Sequence, residues 1–182
     1  QNQQINNAAD VLVQGGGVFD FGAQTDFIDT LHGVGSVTFA AFGWLDIGLN
    51  NGSSTFDGVM SGTGYPNGYT VGKWGNGTFT LTGTNTYLNQ SHVFGGTLII
   101  NGQQPQSPCV VENGTTLRGT GTVGDIACFG LLSPGSSPGI LTCSNLAFTS
   151  AGTYQAEISG RMPGLGYDQL NVRGTNNLAN AA

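Results

Sequence analysis

Charge is what this 182-residue chain has least of: only 8% of its residues are Asp, Glu, Lys or Arg, and only four are basic. Those four are Lys73, Arg118, Arg161 and Arg173, against ten acidic residues, for a formal net charge of -6. Binding to nucleic acid or to an anionic membrane surface needs a basic patch, so neither partner is expected. No apolar run approaches the ~18 residues of a spanning helix, and membrane insertion by this segment is not expected. Long runs of Ala, Leu, Glu and Lys, the usual helix formers, are also missing. So is any Cys-x-x-Cys pair among the three cysteines, which argues against zinc or thioredoxin-like chemistry.

Glycine and strand residues take their place. There are 32 glycines, and 38% of the chain is hydrophobic, too much for simple disorder. Short stretches of Val, Ile, Thr, Phe or Tyr recur, each closed by Gly, Asn or Ser. Val11–Val13, Val18–Phe21, Ser36–Phe39, Thr78–Leu81, Thr97–Ile100, Val110–Val111, Leu141–Cys143 and Tyr154–Ile158 read as strands. No segment reads as a helix.

The segment Leu31-His32-Gly33-Val34-Gly35-Ser36-Val37 returns as Leu117-Arg118-Gly119-Thr120-Gly121-Thr122-Val123, with a looser copy at Gly75-Asn76-Gly77-Thr78-Phe79. Self-similarity at steps of about 43 residues signals stacked units that share one core. A β-propeller has a similar period, but no Gly-His…Trp-Asp pair recurs, and a sandwich does not explain the repeat. A parallel β-helix explains both repeat and strands, with two or three coils in each repeat and Gly or Asn at the corners. The fold class expected is all-β, a single β-solenoid domain over residues 1–182, with a polar segment at 1–10 and repeat-like coils over 31–178.

Gly77-Thr78-Phe79-Thr80-Leu81-Thr82-Gly83-Thr84-Asn85-Thr86-Tyr87, followed by Gly95-Gly96-Thr97-Leu98, resembles the autotransporter-associated β-strand repeat of bacterial surface proteins. Asn113–Val123, the Leu132-Ser133-Pro134-Gly135-Ser136-Ser137-Pro138-Gly139 tandem and Tyr167–Val172 extend the likeness over most of residues 30–178. The resemblance implies a right-handed solenoid, a secreted or cell-surface location and a passenger or stalk role, with no shared catalytic residues. Within these residues there is no membrane barrel, and the stack is short. Pro134 and Pro138 are expected at corners, since Pro has no N–H for a ladder.

Chemistry-bearing motifs are weak. Gly119-Thr120-Gly121-Thr122-Val123-Gly124 spells the dinucleotide fingerprint, yet Asp125–Gly130 cannot supply the helix that motif requires. Asp20, Asp26 and Asp29, then Asp46 and Asp57, are the best carboxylates for attack on a polysaccharide, but no acid–base pair accompanies them. His32 and His92 have no metal-ligand spacing, and His32 fills the outward slot that Arg118 occupies in the other repeat. Catalytic, cofactor-binding and metal residues are therefore expected to be none. Trp44, Tyr65, Tyr69, Trp74 and Tyr87 could stack on sugars or inside the solenoid.

Alternation turns Cys109, Cys128 and Cys143 inward. Aligning Thr116-Leu117 with Leu131-Leu132 gives a coil of about 15 residues, which would bring Cys128 and Cys143 onto neighbouring coils at disulfide distance. Cys109 would remain an odd thiol or an intermolecular link. The start at Gln1 is that expected of a processed chain or a fragment. The ends, Gln1, Asn2, Gln3, Gln4, Ile5, Asn6 and Asn7 with Asn176, Asn177 and Leu178, are amide-rich candidates for end-to-end assembly. Three functions follow from the sequence: a non-enzymatic extracellular scaffold, a head-to-tail fibre subunit, or a carbohydrate-binding or carbohydrate-active β-helix. The partners expected are a second copy, surface glycans or other surface proteins.

Overall fold

The computed structural model describes residues 5–178, in which there are 24 strands and no helix. The first coil runs through β1 (Asp10–Val13), β2 (Val18–Asp20) and β3 (Thr25–Ile28). The second and third add β4 (Thr30–Gly33), β5 (Ser36–Phe39), β6 (Trp44–Ile47), β7 (Ser54–Phe56), β8 (Val59–Gly62) and β9 (Tyr69–Lys73). Next come β10 (Thr78–Leu81), β11 (Thr86–Tyr87), β12 (Gln90–Val93), β13 (Thr97–Ile100), β14 (Gln103–Gln104) and β15 (Cys109–Val111). Then follow β16 (Thr116–Gly119), β17 (Thr122–Val123), β18 (Ile126–Cys128), β19 (Leu131–Pro134), β20 (Ile140–Cys143) and β21 (Leu146–Phe148). A partial last coil holds β22 (Thr153–Tyr154), β23 (Gln169–Val172) and β24 (Asn176–Asn177).

Every third strand stacks in parallel. The first face is β1-β4-β7-β10-β13-β16-β19-β22 and the third is β3 through β24 in the same steps. The second face comes in two blocks, β2-β5-β8-β11 and β14-β17-β20-β23, linked by a bridge between Thr84 and Gln103. The chain is a parallel β-solenoid of about seven turns, as the sequence predicts.

Period-2 alternation sets which side chains fill it. Phe79, Leu98, Leu117 and Leu132 follow one another in register along the first face, all buried. Ile47, Lys73, Val93, Val111, Cys128 and Phe148 do so along the third. Each large apolar side chain removed from water contributes about 1.5–3 kcal/mol. The break in the second face is filled by a polar group: Tyr87 Oη lies 2.6 Å from Ser91 Oγ and donates to Gln104 Oε1 at 3.2 Å, and Gln104 Nε2 donates to Ser91 Oγ at 3.0 Å. All three residues are buried and satisfied together, the condition under which such a network stabilises a core.

The repeated Gly-x-Gly has a packing cause. A Cβ on Gly58, Gly83, Gly102 or Gly121 would stand 1.9–2.0 Å from the carbonyl oxygen of the glycine one coil earlier in the column Gly35, Gly58, Gly83, Gly102, Gly121. The other glycine of the motif, Gly119, has φ +127° and would place a Cβ 2.0 Å from Ile100 O. Gly33 and Gly119 end β4 and β16, four coils apart, so each repeat of about 43 residues holds two coils. The looser copy is not equivalent: Gly75 and Gly77 precede β10 at a different corner, packed on Gly48 and Gly52.

Several expectations need correction. Of the expected strand Tyr154–Ile158 only Tyr154 belongs to one, β22, and Ile158 is 82% exposed, because the chain leaves the stack there for a loop closed by bridges from Ile158 and Pro163 to Tyr167. Pro134 ends β19 in register with Gly119 instead of lying outside the ladder; Pro138 does lie outside it. The expected coil length holds at one point, since Thr116 and Leu117 pair with Leu131 and Leu132. It fails for the cysteines: Cys128 lies on the third face between Val111 and Phe148, whereas Cys143 lies on the second between Val123 and Val172. No Cys128–Cys143 disulfide forms, and all three cysteines are free and buried. Burial pushes the Cys128 and Cys143 thiols up to about 11 and the Cys109 thiol higher still, so they behave as small apolar core groups. A buried Cys109 offers no intermolecular link in the folded chain.

Candidate functional site

The outward positions of the third face carry an aromatic belt across the second to fourth coils. In β6 the inward residues are Leu45 and Ile47, so Trp44 and Asp46 point out. In the next coil Tyr65, Tyr69 and Trp74 come up against them, and His92 and Phe94 follow in the fourth. Trp74, Phe94 and His92 form a stack, with centroids 4.2 Å and 3.9 Å apart. At the other edge Trp44, Tyr65 and Phe42 meet edge to face, with centroids 5.3 Å and 5.9 Å apart. Of the five aromatics singled out in the sequence, four share this belt. The fifth, Tyr87, is inside the solenoid.

Asp46 lies beneath the rings and is only 1% exposed. Trp74 Nε1 donates to Asp46 Oδ1 at 2.8 Å, and Tyr69 Oη donates to Oδ2 at 3.2 Å. Gly72 makes room for this: a Cβ there would stand 2.0 Å from Asp46 Oδ1 and 2.8 Å from the Tyr69 ring. Burial pushes the Asp46 carboxyl up to about 6, against the opposing effect of its indole and phenol donors. The carboxylate thus locks two ring orientations at an energetic cost. Below the belt, His92 Nε2 lies 2.7 Å from Glu112 Oε1.

That cost has a pH signature. The Asp46 pKa is about 6 in the folded state and about 4 unfolded, so the native state binds more protons between those values. Its contribution to stability therefore falls as pH rises from about 4 to about 6 and stays low above, a change of about 3 kcal/mol. Asp46→Asn should remove this part of the pH dependence and raise stability at pH 7.5 relative to the parent chain. Urea unfolding of both chains at pH 4 and 7.5 checks this; equal pH dependence in the two would contradict it.

Phe42 is the most exposed ring of the belt, at 55%, and its backbone has φ 73°. This left-handed conformation is an outlier for a bulky side chain and costs of order 1–3 kcal/mol. The Phe42 N–H donates to Gly64 O at 2.9 Å, which ties the corner to the loop that carries Tyr65.

The aspartates singled out in the sequence are engaged separately, each with its own hydrogen-bond partners. Asp20 accepts from Thr38 Oγ1 at 2.7 Å and Asp57 from Thr82 Oγ1 at 2.5 Å, each a tie between neighbouring coils. Asp29 Oδ1 accepts from the Asn50 and Gly52 N–H groups, and Asp26 accepts from Ile5 and Phe27 N–H. His32 is outward, 3.3 Å from Asp10. Among the described residues no group of three or more His, Cys, Asp or Glu is placed to hold a metal ion.

Lys73 was not anticipated as a core residue. It occupies an inward position of β9 and is only 1% exposed. Its ammonium donates to Trp74 O, to Gly75 O at 3.0 Å and to Gly95 O at 3.2 Å, joining the corners of two coils. Burial lowers its pKa to about 8, opposed by the charge of Asp29.

At the N-terminal end, Gln1–Gln4 lie outside the described residues. Ile5 is half-buried against the core, and Asn6 closes a local turn by accepting from Ala9 N at 2.7 Å and, through Oδ1, from Ala8 N at 3.0 Å. Asn7 O accepts from Asn50 Nδ2 at 3.1 Å. These residues turn on themselves instead of presenting an extended amide ladder. At the other end Asn176 and Asn177 form β24 against Leu146 and Ala147, with Leu178 exposed. A cavity of about 530 Å³ opens there, lined by Leu146, Phe148, Leu170 and Val172 among others.

Fold and surface define a parallel β-solenoid with an aromatic outer face. The chain is 38% identical over 109 residues to the adhesin BmaC autotransporter of Brucella suis biovar 1 (strain 1330). The match covers 56% of this chain and 3% of that protein's length, so the chain spans a small part of the relative. No family model matches the chain, and no solved structure matches it.

Proposed function

We propose that the chain is a stretch of the extracellular passenger region of a bacterial surface adhesin, a non-enzymatic scaffold that presents the aromatic belt to a partner. The observation that carries this reading is the similarity to an autotransporter adhesin in a chain that is itself a β-solenoid. The separate structural engagement of the aspartates supports a role without catalysis, since glycoside hydrolysis needs two carboxylates opposed across one bond. Four basic residues against ten acidic ones, for a net charge of -6, suit a surface that stays soluble outside the cell without attracting polyanions.

The reading is tested in the source bacterium with an antibody raised against the purified chain. Labelling of intact cells, removed by protease treatment without lysis, is expected, together with attachment of chain-coated beads to host cells. Labelling that appears only after lysis would contradict it.

A further inference from the structure

The belt has the properties of a stacking surface, and its details select the ligand. Asp46 holds Tyr69 and Trp74, Trp44 packs edge to face on Tyr69 at 6.4 Å and on Tyr65, and Tyr65 packs on Phe42, so the rings support one another before any partner arrives. Pre-organised rings lose little freedom on binding. Centroids 5.3–5.9 Å apart at the Phe42 edge mean that these rings touch one another, leaving no cage for an ammonium group. What remains for a ligand is the outer surface of the rings. The only lysine, Lys73, turns its ammonium to corner carbonyls, so no cation faces the belt from its own strand to recognise an acidic sugar. The register sets neutral polar side chains beside the rings, Thr25 next to Trp44 and Gln90 next to Tyr69. Phe42 adds an independent observation. A corner where glycine would be relaxed instead holds an exposed phenylalanine at φ 73°, and backbone strain of this kind collects at functional sites.

We propose that the Phe42, Tyr65 and Trp44 rings form a stacking site for an uncharged saccharide, lying along the solenoid axis. The apolar C–H face of a pyranose packs on an aromatic ring, while its hydroxyls reach the flanking hydroxyl and amide groups. Successive coils about 4.8 Å apart bring new rings to successive sugar units of a linear chain. The proposal takes from the surface-adhesin reading only the location outside the cell.

The test uses the full chain on a printed array of neutral and sialylated oligosaccharides, beside immobilised matrix proteins stripped of their glycans. Neutral oligosaccharides should bind about tenfold or more tightly than sialylated ones. Phe42→Gly should weaken that binding about tenfold while the thermal midpoint holds or rises, because glycine relaxes the corner. Tyr65→Ala should weaken it in the same direction, and saturation-transfer NMR with the best-bound neutral oligosaccharide should place the contact on aromatic protons. Absence of neutral-sugar binding, full binding by Phe42→Gly, a lowered midpoint in Phe42→Gly, or capture only by the glycan-free proteins would each overturn the proposal. A chain displayed on intact cells that binds no neutral sugar would remove this inference and leave the surface reading standing.

Discussion

Gly83→Ala is expected to destabilise the chain by about 3–5 kcal/mol, an unusually large effect for one methyl group. The new Cβ would stand 1.9 Å from Gly58 O and 2.9 Å from Gly58 C. Both are backbone atoms of the coil beneath, and the Gly83 carbonyl is itself held by the Gln103 N–H at 3.1 Å. Neither partner can rotate away as a flexible side chain would, so the coils must separate. Separation breaks the pairing on both sides, since a solenoid coil depends on its neighbours for its buried surface. Gly15→Ala is the control: its Cβ would meet only Val34 Cγ2 at 3.4 Å, and a change within about 0.5 kcal/mol is expected. Denaturant unfolding of the two variants decides the matter, and similar midpoints would refute the glycine column.

The second large effect is at Lys73. Lys73→Glu places a carboxylate where an ammonium now donates to Trp74, Gly75 and Gly95 carbonyls. A buried carboxylate facing carbonyl oxygens has neither a donor nor water, and a loss of about 4 kcal/mol or more is expected. Lys73→Met keeps the stem and removes the donors, which should cost about 1–3 kcal/mol for carbonyls left unpartnered. Circular dichroism during urea unfolding gives both numbers. A Met variant as damaged as the Glu variant would show that the charge is irrelevant at this corner.

The strands were legible in the sequence because a half-buried strand has a strict period. Ser36–Phe39, Thr78–Leu81 and Thr97–Ile100 have the predicted limits, and all three cysteines face inward as alternation requires. The corners were not legible, because their lengths follow no period. Thr78, Thr97 and Thr116 are spaced by 19 residues, whereas Thr116 and Leu131 are spaced by 15. The Pro-Gly segment between β19 and β20 then lengthens the corner, so that Thr122 pairs with Thr142 at a spacing of 20, and a coil length inferred from one pair could not place Cys143 beside Cys128. The candidate site was half visible. Trp44, Tyr65, Tyr69 and Trp74 are evident as aromatics, but only the register across coils brings them together and separates them from Tyr87. Asp46 stood in the sequence only as a second-rank carboxylate for polysaccharide chemistry because nothing local marks it as covered: its cover comes from Tyr69 and Trp74, one coil later. Lys73 follows the inward parity of Val71, yet a lysine in an apolar column is read from sequence as solvent-facing.

The most direct test of the solenoid is the set of long-range NOEs from the Leu98 methyl groups in the folded chain. The parallel register requires contacts to the Phe79 ring and to the Leu117 methyls, each 19 residues away, on opposite sides of Leu98. Both sets observed together establish in-register parallel coils around one core. Leu98 contacts confined to a sequence-adjacent hairpin partner, with neither Phe79 nor Leu117 among them, would contradict the stacked architecture on which the aromatic belt depends.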